Sequence, residues 1–374
     1  MTVRTDERVP FSDLSLQWDA IKAEFAPELE RLFETSAYCL GPAVEQFEKS
    51  FAEYVGVRHV IGVNSGTSAL HLAMIVAGIG PGDEVLLPSH TFIATAWAAI
   101  YVGAQPVFCD IEEKSGTIDL ADAERRMSPR VKAIVPVHLY GQPADIRAIS
   151  TFAEKHGLIV IEDVAQAVGA VYGGKKVGTY GRYGCFSFYP GKNLGAAGEA
   201  GAICTDDDVA AERMRILRHH GQRERYIHSE VGFNYRMEGI QGLFLDHKLR
   251  HLESWTASRR RIAKRYLDGL RGLPLGLPEI EHEDHVYHLF VIKTPKRDEL
   301  RAHLAANGIE TGLHYPVPLH RQPCFAHVAM DRENFPASDR FSNECLSLPL
   351  FAPGMTDVQI DLVIEKVRDF MACA

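Results

Sequence analysis

The chain has 374 residues, of which 46% are hydrophobic, and this is enough for about two domains with sizeable cores. Its 40 basic and 49 acidic residues give a formal net charge of −9 at pH 7, which argues against nucleic acid or an acidic membrane surface as the main partner. The segment Met1 to Pro10 has no apolar signal-peptide core, and the longest nearly apolar run, Ile93 to Ala104, is shorter than the ~20 residues of a membrane span. Seven scattered cysteines without a C-x-x-C pair predict reduced thiols and a cytoplasmic location.

The first two thirds of the chain alternate between helical periodicity and short apolar runs. The predicted helices are Trp18–Phe33, Ala43–Tyr54, Thr67–Ala77, Ile93–Val102, Leu120–Met127 and Asp145–His156. The predicted strands are His59–Val63, Glu84–Leu87, Gln105–Cys109, Val131–Val135 and Leu158–Ile161. Short strands without polar alternation, joined by helices, indicate an α/β protein whose mostly parallel sheet is covered by helices on both faces, in three layers.

A second, smaller unit is expected at the C-terminus. A helix over Asp207–His219 and a polar loop precede a long helical stretch, Met237 to Leu270, and the Gly- and Pro-containing segment Gly272–Pro278 then marks a domain junction. The segments predicted beyond it are a strand (Val286–Ile292), a helix (Arg297–Asn307), a loop rich in proline and histidine (His314–Pro323) and a closing helix (Thr356–Met371). We therefore predict a large domain over residues 1–271 and a small α+β domain over residues 272–374.

One lysine stands out for its surroundings. Lys192 lies in the stretch S-F-Y-P-G-K-N-L, between two apolar runs at residues 185–188 and 200–204. A lysine on a tight turn between buried strands is partly desolvated, which favours the neutral amine. Since a neutral amine attacks carbonyl carbons, Schiff-base chemistry is the prediction, and the alternative is a surface lysine in a glycine-rich loop.

A second motif, N-S-G-T-S-A-L over residues 64–70, follows a predicted strand and opens a helix. Free backbone N–H groups and the positive helix end suit an anion, most naturally a phosphate. Gly66 permits close approach of the backbone, and the hydroxyl groups of Thr67 and Ser68 add donors. An ordinary Ser/Thr helix cap is the alternative.

Two further candidates follow strands of the predicted sheet. Glu162 and Asp163 end a buried strand, and in open α/β sheets ligands bind beyond the carboxyl ends of the strands. An aspartate there is either a helix cap or the partner of a protonated pyridine nitrogen, the recurring companion of a Schiff-base lysine. Phe92, after another strand, can stack on a flat cofactor or belong to the core.

Together these motifs resemble the sugar aminotransferase family (DegT–DnrJ–StrS type) within the aspartate-aminotransferase-like fold (type I) of enzymes that use pyridoxal 5'-phosphate (PLP). The matching blocks run from about residue 40 to residue 355 and include N-S-G-T-S-A-L, L-P-S-H-T-F-I-A-T, P-V-H-L-Y-G-Q-P, I-E-D-V-A-Q-A-V-G-A, F-S-F-Y-P-G-K-N-L-G, G-F-N-Y-R-M and H-Y-P-V-P-L-H. One departure is Glu199, which replaces an aspartate common in the family.

The resemblance implies a role for each matching position. Lys192 would form the Schiff base with PLP and shuttle the proton, Asp163 would pair with the pyridine nitrogen, and Phe92 would stack on the ring. The other cofactor residues would be Gln166 near the phenolic oxygen, and Gly66, Thr67, Ser68 and Ser187 at the phosphate. Asn234 would reach the phosphate from the second subunit of a homodimer with shared active sites, and Tyr315 and His320 would face the substrate.

The implied reaction moves an amino group, with glutamate as the donor and pyridoxamine phosphate as the form that carries the amine, to a nucleotide-linked keto sugar. The favoured acceptor is a dTDP-3-keto-deoxyhexose that gives a 3-amino sugar. A 4-keto sugar or cyclitol aminotransferase, a PLP-dependent sugar dehydratase and a sugar-binding regulator are the alternatives, and an intact Lys192 argues against the last two. His282, His285 and His288 lack the geometry of a metal site, since odd spacing in a strand sends side chains to opposite faces.

Overall fold

The computed structural model of the protein describes residues 8–279, 284–328 and 334–373. The α-helices are α1 Ser15–Thr35, α2 Pro42–Val55, α3 Gly66–Val76, α4 Ile93–Tyr101, α5 Leu120–Arg125, α6 Ile146–His156, α7 Asp208–Arg218, α8 Gly239–Leu249, α9 Leu252–Leu270, α10 Arg297–Ala306, α11 Pro336–Glu344 and α12 Asp357–Cys373. The strands are β1 His59–Val63, β2 Glu84–Pro88, β3 Gln105–Cys109, β4 Val131–Ile134, β5 Ile159–Asp163, β6 Val171–Tyr172, β7 Lys175–Lys176, β8 Tyr183–Ser187, β9 Gly201–Thr205, β10 Gln222–Glu224, β11 Ile227–His228, β12 Phe290–Lys293 and β13 Cys345–Leu348. Short 3-10 helices cover Leu139–Gly141, Leu319–Arg321 and Pro323–Phe325.

The large sheet has seven strands in the order β1-β9-β8-β5-β4-β2-β3. Strand β9 is antiparallel to both of its neighbours, β1 and β8, while the remaining pairs of the sheet are parallel. The carboxyl ends of β1, β2, β4, β5 and β8 therefore lie along one edge. The predicted α/β fold with a mostly parallel sheet is confirmed.

Helices cover both faces of this sheet because successive strand residues point in opposite directions. Val60, Leu86, Ile134 and Val160 pack with α2 and α6 in one apolar core. Their neighbours in the chain face the other way and pack with α3, α4 and α7 in a second core, and these are Ile61, Val85, Ala133, Val135 and Ile161. The result is the three-layer arrangement that the apolar strands predict.

A third core lies in the C-terminal part of the molecule. It joins β12, β13, α10 and α12 with the last turns of α9. The N-terminal segment belongs to the same core, because Val9 is fully buried there and forms a parallel bridge with Ile309. The proposed boundary after residue 271 stays a prediction, and this core draws on residues from both sides of it.

Two predicted segments in the second half of the chain differ from the structure, and some observed elements were not predicted. The helical stretch Met237 to Leu270 is two helices, α8 and α9, separated at Arg250 and His251. The strand predicted over Val286–Ile292 is shorter, since β12 begins at Phe290 and Tyr287 has a φ of 44°, which is outside the extended region. Helix α11 and strand β13, which pairs antiparallel with β12, have no counterpart among the predicted elements. None of the helices in the described ranges is long and apolar enough to cross a membrane.

Candidate active site

The carboxyl ends of the parallel strands open into a cavity of about 720 Å³. Eight of the residues predicted for the site line it, namely Gly66, Thr67, Phe92, Asp163, Gln166, Ser187, Lys192 and Tyr315. Parallel strands end at a common edge, so side chains far apart in sequence meet there without special packing. The structure thus brings together the residues that follow β1, β2, β5 and β8.

The motif predicted to bind a phosphate, residues 64–70, includes the first turn of α3. Ser65 is the N-cap residue, and its Oγ accepts a hydrogen bond from the Ser68 N–H at 3.0 Å. A Cβ atom on Gly66 would lie 2.7 Å from the Cβ of Ser187, so only glycine allows β8 to approach the turn this closely. The helix N-terminus and the hydroxyl groups of Thr67 and Ser187 form an anion site with the geometry of a phosphate cradle.

Asp163, the last residue of β5, is 4% exposed. Its Oδ2 accepts a hydrogen bond from the Thr95 hydroxyl at 2.8 Å, and its Oδ1 accepts one from the Ala165 N–H at 3.1 Å. Burial raises the pKa of this carboxyl, while the bonds from Ala165 and Thr95 and the charge of Lys192 act in the opposite direction. A buried carboxylate oriented in this way is suited to hold a cationic ring nitrogen.

Lys192 lies on the turn after β8, and its backbone N–H donates to the Tyr189 carbonyl at 2.8 Å. The next residue, Asn193, is buried and its Nδ2 donates to the Val286 carbonyl at 2.9 Å, which ties the turn to the C-terminal part of the chain. Burial lowers the pKa of Lys192 to about 8, and Asp163 opposes that shift. A substantial fraction of the amine is therefore neutral near neutral pH, as nucleophilic attack requires.

Gln166 connects two tyrosines beside the cavity. Its Oε1 accepts a hydrogen bond from the Tyr140 N–H at 2.7 Å, and its Nε2 donates to the Tyr315 hydroxyl at 3.0 Å. The ring of Tyr315 lies 5.7 Å from that of Phe92, measured between centroids. Phe92 is 51% exposed, so it is not the core phenylalanine of the alternative interpretation, and it presents a face to the cavity.

Three predicted site residues lie outside the cavity wall. Ser68 is buried, and its Oγ donates to Asn64 Oδ1 at 2.7 Å. Asn234 is exposed on the surface, where its backbone carbonyl accepts a 3.4 Å hydrogen bond from Asn64 Nδ2; its predicted role needs a second subunit. The structure therefore supports only an indirect part for Ser68 at the phosphate turn.

The structure does not support His320 as a substrate-facing residue. Its ring is fully buried, with Nδ1 2.6 Å from the Ser89 hydroxyl and Nε2 3.1 Å from Asp339 Oδ1. It also stacks on Phe335 at a centroid distance of 4.3 Å. Both ring nitrogens are engaged within the protein, so His320 positions the loop after Pro318 instead of reaching into the cavity.

Sequence reasoning missed the opposite wall of the cavity. This wall comes from the N-terminal segment, α9 and the C-terminal part of the chain, and its polar residues include Gln17, Arg259, His288 and His314. His314 opens the block H-Y-P-V-P-L-H, from which only Tyr315 and His320 were predicted to face the substrate, and the other three lie in none of the matching blocks. One signal in the sequence was the position of Arg259 on an apolar helix face. On α9 it shares a face with Trp255, Ile262 and Ala263, which are apolar and buried.

Two of the histidines considered for a metal, His285 and His288, lie in the described part of the chain and have different surroundings. His285 is buried, its Nδ1 accepts the Tyr287 N–H at 2.8 Å, and its ring stacks on Tyr287. His288 lines the cavity, and His282 lies outside the described residues. Within those residues the model contains no group of three or more histidine, cysteine or acidic side chains placed to hold a metal ion.

The residues present fit PLP. The first turn of α3 with Ser187 suits its phosphate, the buried carboxylate of Asp163 suits its ring nitrogen, and the amine of Lys192 borders the same cavity. Gly66 has no Cβ and leaves the turn accessible. A mostly parallel α/β sheet with these groups at the strand ends defines a PLP-dependent enzyme of the aspartate-aminotransferase-like fold.

Comparison with known proteins identifies the family. The model of the DegT/DnrJ/EryC1/StrS aminotransferase family matches residues 19–368. A dTDP-3-amino-3,4,6-trideoxy-alpha-D-glucose transaminase of Streptomyces venezuelae is 45% identical over 365 residues, which cover 97% of this chain and 96% of the relative. A UDP-N-acetyl-3-dehydro-alpha-D-glucosamine 3-aminotransferase of Acidithiobacillus ferrooxidans is 41% identical over 96% of this chain and 97% of its own.

A solved structure shows the same fold. The crystal structure of S. venezuelae DesV in complex with a ketimine intermediate superposes with a TM-score of 0.95 at 45% identity, over 97% of this chain and 98% of that one. The chain belongs to the DegT/DnrJ/EryC1/StrS aminotransferase family, and it is a PLP-dependent aminotransferase. The family, the enzyme class and the cofactor predicted from sequence are confirmed.

Proposed function

We propose that the enzyme transfers an amino group from an amino acid, with glutamate as the donor, to a nucleotide-linked 3-keto sugar. A dTDP-3-keto-deoxyhexose that becomes a 3-amino sugar is the favoured acceptor. The observation that carries this proposal is the 45% identity over 97% of the chain to a transaminase named for a dTDP-3-amino-trideoxyglucose. At such coverage the cavity walls of the two proteins derive from the same segments.

The residues of this chain have separable tasks in the proposed reaction. When bound, PLP supplies an aldehyde that takes up the amino group and a ring that withdraws electrons from the reacting carbon. Lys192, whose pKa burial lowers to about 8, holds and returns the proton that moves during transfer. The carboxylate of Asp163 keeps the ring nitrogen protonated, while the first turn of α3 and Ser187 orient the phosphate.

A homodimer with shared active sites is part of the proposal. Helix α4 and its N-cap present three aromatic side chains that are 36–51% exposed, Phe92, Trp97 and Tyr101. Phe92 and Trp97 also line the cavity, as does the exposed Tyr189. Exposed apolar side chains around a site mouth are typical of a surface covered by a partner, and a second copy would bring Asn234 within reach. Light scattering of the purified protein tests the dimer.

A cytoplasmic location also belongs to the proposal. All seven cysteines are free thiols, and Cys109, Cys185, Cys204 and Cys345 are buried. Burial raises the pKa of the thiol groups of Cys109, Cys185 and Cys204, which keeps them protonated and unreactive. Buried unpaired thiols are common in reducing compartments. Fractionation of the native host with an antibody to the chain tests it.

The acceptor is tested with a panel of keto sugars. The holoenzyme is incubated with glutamate and, separately, dTDP- and UDP-linked 3-keto and 4-keto hexoses and a cyclitol ketone, and products are identified by NMR. We expect the dTDP-3-keto sugar to give the highest kcat/KM and a 3-amino product. Preferred turnover of a 4-keto sugar or of the cyclitol, or loss of a hydroxyl group in place of amination, contradicts the proposal.

A UDP-linked 3-keto sugar is the second candidate. The observation in its favour is the relative named for a UDP-linked 3-dehydroglucosamine, which is 41% identical over 96% of this chain. Both candidates share amination at the third carbon and differ in the nucleotide and in the N-acetyl group. The dTDP and UDP arms of the panel separate them directly.

A further inference from the structure

The wall of the cavity formed by the N-terminal segment, α9 and the C-terminal domain carries a second cation. Arg259 lies on α9, lines the cavity and is 5% exposed. Its Nη1 donates to three backbone carbonyls, those of Tyr287 at 3.1 Å, His288 at 3.3 Å and Leu350 at 3.2 Å. Because these three bonds all use Nη1, the Nε–H and both Nη2–H groups have no acceptor among the described residues.

No carboxylate of the described ranges lies within ion-pair distance of Arg259. In the same ranges, 32 other pairs, mostly near the surface, bring a basic and an acidic side chain within 4.0 Å of each other. Burial lowers the pKa of Arg259 to about 10, as expected for a charge removed from water without a counter-charge. A buried, unpaired guanidinium is costly for a fold to retain. Its retention beside a binding cavity indicates an anionic ligand.

Gln17 adds a second unpartnered group to the same wall. It is 2% exposed and lines the cavity. Its Nε2 donates to the Ala352 carbonyl at 2.8 Å, which fixes the amide, while its Oε1 has no hydrogen-bond partner. The Nδ1 atom of His288, also on this wall, is likewise buried without a partner. Native proteins leave few buried polar atoms unsatisfied. His288 Nδ1 can donate a hydrogen bond to an anion in one tautomer, whereas Gln17 Oε1 can only accept and is suited to an N–H or O–H group of a ligand.

The charges around this wall favour an anion near Lys192. Lys192 and Arg259 both lower the pKa of His288, after the larger effect of burial, and this keeps its imidazole neutral. Two of the acidic residues that border the cavity already accept hydrogen bonds from other residues, and the third is exposed. Asp163 accepts from Thr95 and Ala165, Asp13 accepts from Ser15, and Glu199 is exposed.

We propose that Arg259 forms the subsite that binds a carboxylate of the amino-acid donor. The planar guanidinium matches a carboxylate in two parallel hydrogen bonds. In the amino-acid donor, one carboxylate is attached to the carbon that reacts beside Lys192, and the other is a few bonds away. In a sugar nucleotide, the sugar ring separates the reacting carbon from the diphosphate. A cation on the wall of this cavity is therefore better placed for a carboxylate of the donor. The inference rests on the proposed amino-acid donor and is independent of which sugar accepts the amine.

The test uses the PLP-loaded enzyme and a ligand that cannot react. Glutarate carries two carboxylates and no amine, and glutaramide is its neutral counterpart; calorimetry gives the Kd of each. We expect glutarate to bind the wild type, and Arg259→Gln to weaken it roughly 10- to 100-fold, as for loss of a hydrogen bond to a charged group. Arg259→Lys, which keeps the charge, should recover part of the affinity, and glutaramide should bind all forms weakly.

Single-turnover kinetics separate the two halves of the reaction. With glutamate alone, the rate of the first half-reaction in Arg259→Gln should still rise with concentration at glutamate concentrations that saturate the wild type. With enzyme preloaded with pyridoxamine phosphate, turnover of the keto sugar should stay within about twofold of the wild type. If no sugar in the panel is aminated, the half-reaction with glutamate can still be measured. The proposal for the acceptor sugar and the proposal for Arg259 are therefore tested independently.

Arg260→Gln is the matched control. Arg260 is the next residue on α9, its Nε donates to the His285 carbonyl at 3.0 Å, and it does not line the cavity. Its glutarate affinity should equal that of the wild type. Because Arg259 also holds three carbonyls, unfolding is monitored for each variant. Gln17→Met leaves those bonds intact and should keep the wild-type glutarate affinity, because the free Oε1 of Gln17 accepts hydrogen bonds and cannot pair with a carboxylate.

Three results overturn the proposal: no binding of glutarate by the wild type, unchanged affinity in folded Arg259→Gln, and equal loss in both half-reactions. If Arg259→Gln does not fold, Arg259→Lys decides, because one ammonium group cannot make the two parallel hydrogen bonds of a guanidinium. Unchanged glutarate affinity in folded Arg259→Lys would then count against the subsite.

Discussion

The two walls of the cavity are built in different ways. On one wall, Asp163 is the last residue of β5, Gly66 and Lys192 lie in the segments after β1 and β8, and each belongs to a continuous motif. On the other wall, Gln17, Arg259 and His314 come from two helices and a loop that meet only through the third core. The first wall suits a cofactor, and the second faces the space where substrates would enter.

This difference follows from how each wall is positioned. Strand ends of a parallel sheet are placed by backbone hydrogen bonds, so a ligand site there depends on few tertiary contacts. The second wall depends on how the N-terminal segment and the C-terminal part of the chain pack, which involves the Val9–Ile309 bridge and the Asn193–Val286 hydrogen bond. Changes to the first wall should therefore remove chemistry, while changes to the second should alter affinity or stability.

The largest effect is expected for Lys192→Ala. Lys192 is the only lysine among the described residues that line the cavity. Its loss removes both the nucleophile and the proton shuttle, so transamination should fall by at least about 10⁴-fold. Product formation is measured by NMR, and borohydride reduction followed by mass spectrometry shows whether the cofactor becomes attached at position 192. Lys175→Ala, at an exposed position of β7, is the control. Wild-type rates in Lys192→Ala would show that the cofactor wall has been misassigned.

Asp163→Asn should lower kcat by about 10²- to 10³-fold, since a neutral amide cannot keep a pyridine nitrogen charged. The asparagine retains an oxygen for the Thr95 hydroxyl, so folding should be preserved. Asp207→Asn tests the alternative interpretation, because Asp207 is an ordinary N-cap that accepts the Ala210 N–H at 3.0 Å. Equal activity loss in both variants would make Asp163 a helix cap like Asp207.

The pH dependence of cofactor attachment is the third prediction. Burial lowers the pKa of Lys192 to about 8, so the neutral amine increases as the pH rises toward that value. Covalent uptake of PLP by the apoprotein should slow by about tenfold per pH unit below 8 and level off above it. Stopped-flow absorbance measures the rate. In Asp163→Asn the midpoint should move to lower pH, because the carboxylate that opposes the shift is gone; a midpoint near 10.5 would indicate a solvated lysine.

The smallest effect on activity is expected for His320→Ala. This ring is buried between Ser89 and Asp339, so its removal should cost about 2–4 kcal/mol of unfolding free energy through a cavity and unpaired polar groups. The KM for the keto sugar should stay within about twofold. Denaturant unfolding and steady-state kinetics measure the two quantities, and a large rise in KM at unchanged stability would restore the role predicted from sequence.

Much of the fold could be predicted because the signals are local. The strands predicted over His59–Val63 and Gln105–Cys109 begin and end at the observed residues. Strands of a sheet covered on both faces are short continuous apolar runs, so their ends can be located in the sequence. The break between α8 and α9 was missed because neither glycine nor proline marks it. Helix α11 and β13 were missed because tertiary contacts define them: β13 pairs with β12, and Ala337 and Phe341 of α11 pack against residues in and beside these strands.

The family, the PLP chemistry and the cavity wall at the strand ends could all be predicted from sequence. The residues that define them lie in short continuous motifs, whose turns and glycines depend on neighbouring residues of the chain. The tertiary structure decided that His320 is enclosed while Arg259 borders the cavity. Whether a side chain points into a cavity or into a core depends on which distant segments pack against it. Neither residue's neighbours in sequence carry that information.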